Sequence, residues 1–69
     1  MAVQRFFQIS KSGAPIDQYY YPSLGQASVV WEQDPESKNV VEVDAIGNVL
    51  RTYTGQESHE AASDFRNPL

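Results

Sequence analysis

Carboxylates dominate the groups on this chain that could carry chemistry: Glu32, Asp34 and Glu36 alternate along one stretch, and Glu42 and Asp44 follow on another. Paired carboxylates perform acid–base hydrolysis when a concave pocket holds them with separated proton affinities. A chain of 69 residues has little volume for such a pocket. The one histidine, His59, has Glu57 and Glu60 nearby in sequence. A lone imidazole without a second ligand at metal spacing builds no metal site, so these groups would hold at most an adventitious ion. The chain also has no cysteine nucleophile, no Gly-x-Ser-x-Gly and no phosphate-cradling glycine loop. The residues therefore predict no enzyme, no catalytic residue, no metal and no cofactor.

Binding is the remaining class of function, and two surfaces can supply it. Eight aromatic residues exceed what so small a core needs, and strand alternation places Phe6, Tyr20 and Ile16 on one face of a first hairpin, with Gln4, Gln8 and Gln18 among them. One short helix covers only one face of a sheet. An aromatic surface rimmed by amides on the other face marks a protein interface, with Phe6, Tyr20, Ile16 and Gln18 as its contact residues. The alternative is a second layer, built from the tail and Phe65, that closes over these rings and completes a core. The second surface is acidic. Glu32, Asp34 and Glu36, with Glu42 and Asp44, can form a negative ridge that competes with phosphates for a basic groove. In size and charge, though in no motif, the chain is similar to the small acidic anti-defence inhibitors of phages and mobile elements. An ordinary solvated acidic face accounts for the same residues.

Nine acidic and five basic side chains give a net charge of −4, and the basic residues are scattered. Scattered Lys and Arg cannot track a phosphate backbone, which argues against direct nucleic-acid binding. Alternation also separates Tyr20 from Tyr19 and Tyr21, so the three do not form one base-stacking platform. An acidic domain is better suited to a basic protein partner. The absence of cysteine fits a reducing compartment, and the residues predict a cytoplasmic location. Apolar runs stop at two or three residues, far short of the ~20 needed to span a bilayer. The amino terminus reads as a mature start rather than a signal peptide. A domain this small has marginal stability, and without disulfides or a metal it gains most from a partner chain or a second copy of itself.

The elements that must position these groups follow from turn chemistry. Ser10-Lys11-Ser12-Gly13 and Asp44-Ala45-Ile46-Gly47 both read as type I turns closed by a glycine bulge. In the first hairpin, strand 2–10 pairs with strand 16–21, placing Phe7 opposite Asp17, Arg5 opposite Tyr19 in a cation–π pair, and Val3 opposite Tyr21. Pro22 ends that strand. Ser23 with Gln26 opens a helix that closes near Gln33, because Asp34 precedes Pro35. The second hairpin joins 39–44 to 48–54, with Val41, Val43, Val49 and Arg51 on one side and Val40, Glu42, Leu50 and Thr52 on the other. Residues 55–69 form a mobile tail carrying a short frayed helix capped by Ser58, in which Ala61 and Phe65 share a face.

The predicted architecture is a single α+β domain over residues 1–69. A small antiparallel sheet of two β-hairpins, about four strands, carries one short helix on one face and a short C-terminal helix. The predicted function is a non-enzymatic protein-interaction module, a small subunit or inhibitor of a larger protein and a homodimer in its own right. The alternative is the acidic nucleic-acid mimic, whose contact residues are Glu32, Asp34 and Glu36.

Overall fold

The computed structural model describes residues 5–11 and 19–67, in the order β1 (Arg5–Lys11), α1 (Leu24–Gln33), β2 (Ser37–Asp44), β3 (Val49–Thr52) and α2 (Gly55–Arg66). The strands form one antiparallel sheet in the order β1-β2-β3. The α+β class is as the sequence predicts, but the described sheet has three strands instead of about four.

The difference arises at the first hairpin. β1 takes β2 as its neighbour, in register from Arg5 with Asp44 to Ile9 with Val40, and the β-branched residues Val40, Val41 and Val43 suit that central position. On its other flank β1 meets Tyr21, whose backbone exchanges two hydrogen bonds with Phe7 (3.0 and 2.9 Å). This contact is four residues away from the predicted register: Tyr21 faces Phe7, and Arg5 instead approaches Glu42 at 3.7 Å. β1 thus has β2 along seven positions on one flank and a single described bridge to Tyr21 on the other. Positions Ser12, Gly13, Ile16, Asp17 and Gln18, and with them most of the first turn, lie outside the described residues.

The second turn forms as its residues dictate. Gly47 adopts φ +91°, its N–H donates to the Asp44 carbonyl (3.1 Å), and the Asp44 carboxylate accepts from the N–H groups of Ile46 and Asn48. Only the faces of β3 differ from expectation. A β-bulge at Leu50 sets Glu42 opposite Arg51 and Val43 opposite Val49, so Arg51 moves to the Glu42 face and Thr52 joins Val41.

Helix α1 starts at the predicted cap, where the Ser23 hydroxyl accepts from Gln26 N–H (3.1 Å), and ends at Asp34 in extended backbone. Residues 55–66, expected as a mobile tail carrying a short frayed helix, form twelve residues of helix. Its cap is Thr54 and not Ser58: the Thr54 hydroxyl accepts from Glu57 N–H, and the Glu57 carboxylate accepts from Thr54 N–H. Ser58 is wholly buried one turn further on.

The core joins α1 to one face of the sheet. Ala27, Val40 and Tyr53 form its buried centre, with Phe7, Tyr21, Leu24 and Trp31 packed around them. Helix α2 packs chiefly on α1 along small residues: Ala62 and Ser58 are buried, as are Ala27 and Ser28 on α1. Phe65 lies so near Gly25 that a Cβ there would sit 2.8 Å from the Phe65 Cβ, so glycine is what permits this approach. The Ser28 and Ser58 hydroxyls find no hydrogen-bond partner among the described residues.

Candidate protein-interaction surface

Antiparallel pairing gives opposed residues a common face, so the register divides the sheet cleanly. Phe7, Ile9 and Val40 lie toward the helices, with Arg5, Glu42 and Arg51 continuing their rows outward. The opposite face carries Phe6 beside Val43 beside Val49, then Gln8 beside Val41 beside Thr52. None of these six is charged, in a chain of net charge −4.

The middle of this uncharged face is closed to water, since Gln8, Val41 and Val43 are all buried. Its margins are not. The Tyr20 ring stands edge-on to the half-buried Phe6, with centroids 5.5 Å apart and planes at 71°, and Tyr20 remains 58% exposed. Tyr19 beside it is 72% exposed. At the other margin Ile46, Val49 and Leu50 are exposed around the β2–β3 hairpin. Phe65, which the alternative reading places over these rings, packs on Gly25 at the helix pair and remains half exposed. Of the predicted aromatic contact residues, Phe6 and Tyr20 thus come together, while Ile16 and Gln18 lie outside the described residues.

The acidic candidates are largely engaged within the fold. Glu32, its side chain only 14% exposed, reaches His59 Nδ1 at 2.5 Å and Arg66 at 2.6 Å, tying the end of α1 to α2. Trp31 sits edge-on to the same imidazole at 5.5 Å. His59 stays solvated, its side chain 69% exposed, and it also makes an inter-helix contact that leaves no local signal in the sequence. Asp34 accepts from Glu36 N–H (2.9 Å) and meets Lys11 at 3.0 Å. The backbone donor first, and the Lys11 ammonium second, hold its carboxyl below the ordinary value. Glu36 is exposed. Glu42 pairs with Arg5, and Asp44 is held in the turn. Arg51, whose guanidinium lies 4.5 Å from the Tyr53 ring centroid, also pairs with Glu57. This cation–π contact, between Arg51 of β3 and Tyr53 just beyond it, is a different pair from the Arg5–Tyr19 one expected from the sequence.

Among the described residues no pocket forms, and no three His, Asp or Glu side chains converge as metal ligands. No described helix is long and apolar enough to cross a membrane. No protein-family model matches the chain, nor does any curated protein or solved structure.

Proposed function

We infer that the chain is a non-enzymatic protein-interaction module, a small subunit or inhibitor that engages a larger protein through Tyr19, Tyr20 and Phe6. One observation carries this reading: Tyr20 is exposed yet its ring is fixed by edge contact with Phe6. An aromatic anchor already held in place loses little side-chain entropy on binding, and such rings supply a large share of interface energy. The amphipathic Tyr ring suits a surface that is wet when free and dry when bound. The acidic-mimic reading draws less support, because Glu32 and Asp34 are spent on His59, Arg66 and Lys11.

The test is affinity capture from the native host, quantified by mass spectrometry, comparing the natural chain with Tyr20→Ser and with Glu36→Gln. Proteins retained by the natural chain and by Glu36→Gln should be lost with Tyr20→Ser, whose circular dichroism should be unchanged. Loss with Glu36→Gln and retention with Tyr20→Ser would move the reading to the acidic mimic.

A further inference from the structure

Strand β3 has β2 on one side, and no other strand pairs with it among the described residues. All four of its residues are exposed, Val49 and Leu50 at 48% each, and Ile46 at the turn reaches 83%. Edges of this kind are usually guarded by Lys, Pro or a covering segment, since their unpaired N–H and C=O groups invite another strand. β3 carries neither Lys nor Pro.

The backbone bonds show which of its groups face away from β2. The Asn48 carbonyl accepts from Asp44 N–H (3.0 Å), and Tyr53 N–H donates to the Val40 carbonyl (2.9 Å), so both of these residues bond inward. Alternation from each end leaves Val49 and Thr52 bonding outward. In a regular strand outward-bonding residues are two apart. Here they are three apart, because the bulge at Leu50 inserts one residue between them. A regular strand laid on this edge would meet one outward pair and miss the other.

We propose that the occupant of this edge is β3 of a second copy of the chain, paired antiparallel about a two-fold axis between Leu50 and Arg51. In that register Val49 of each copy lies opposite Thr52 of the other, and both outward sets find partners, because each strand carries the same three-residue spacing. Charge permits the choice. The one charged residue of β3, Arg51, falls opposite Leu50 of the other copy, and the two Arg51 side chains that flank the axis each have a Glu57 carboxylate beside them. The product is one continuous sheet joining the three described strands of each copy, in which the apolar side chains of Val49 and Leu50 leave water. The aromatic pole at Tyr20 lies beyond β1 and is left free on both copies.

Sedimentation of the full chain from about 10 μM to about 1 mM covers the affinity range expected of a small strand-edge dimer. The mass should rise toward twice that of the monomer. Thr52→Pro removes an outward N–H, and Val49→Lys places an ammonium beside the axis. Each should weaken dimerisation by about tenfold or more while circular dichroism stays unchanged. Should the proline unfold the chain, Val49→Lys on its exposed side chain carries the test. Amide exchange at Val49 and Thr52 should slow as concentration rises. A chain that remains monomeric at the highest concentration overturns the proposal, as does a dimer indifferent to Val49→Lys. A dimer abolished by Tyr20→Ser alone places the axis at the aromatic pole and overturns it equally. Loss of captured partners with Tyr20→Ser is read separately, so either inference can fail without the other.

Discussion

At the scale of single residues, Asp44 does most to fix local structure, because one carboxylate accepts two backbone N–H groups and the Asn48 side-chain amide. The Asn48 N–H contributes most to lowering its proton affinity below the ordinary value near 3.8, and the charged form is therefore favoured by folding. A carboxyl depressed in the folded state stabilises above its unfolded value, and that contribution is lost as the pH falls through the folded one. Asp34 and Glu57, lowered chiefly by the N–H groups of Glu36 and Thr54, act in the same direction. Stability measured by denaturant titration should thus be flat from pH 7 to about 5 and decline below about 4. Asp44→Asn should lower the plateau and make the acid decline shallower. An unchanged profile would show that the turn carboxylate contributes nothing.

Between elements, the seam of α1 with α2 is what chiefly holds α2 to the fold. Among the described residues, helix α2 fully buries Ser58 and Ala62, and a serine hydroxyl without a partner there sits on each side of the seam. Such hydroxyls detract from stability, so the seam relies on close approach and on the Glu32 bridge to His59 and Arg66. Close approach depends on Gly25. Alanine there is a better helix former by up to ~1 kcal/mol, yet its Cβ would meet the Phe65 Cβ at 2.8 Å. Overpacking of this kind costs about 1–3 kcal/mol, and the clash involves the Cβ itself, which cannot turn aside as a flexible side-chain end would. Gly25→Ala should therefore destabilise the chain despite its propensity gain, and amide exchange in 55–66 should accelerate more than in β2. A stabilised variant would mean that α2 shifts to accommodate the methyl group.

For the whole molecule, charge and apolar surface are separated. The described strand charges lie toward the helix side or in the turn, whereas the far face carries no charge and exposes its apolar side chains only at the margins, Val43 being buried. Association through either margin of that face should change by less than about threefold between 0.05 and 0.5 M salt, because no exposed ion pair has to form. A steep fall with salt, read by sedimentation or by capture, would restore the acidic surface as the binding element. Local chemistry made much of this legible beforehand. Asp44 to Gly47 specified their turn, Ser23 and Asp34-Pro35 bounded α1, and the valines of 40–43 marked a strand. Each of these depends on contacts within a few residues. The placing of β1 between β2 and Tyr21, the exchange of faces at Leu50, the cap at Thr54 and the pairing of Glu32 with His59 were settled only in the assembled fold. Several ladders and caps were locally acceptable for the same residues, and the one adopted is that which buries Val40, Ala27 and Tyr53 together. Sequence dictates which backbone shapes a segment can hold; packing against distant segments selects among them, because only there does apolar area leave water.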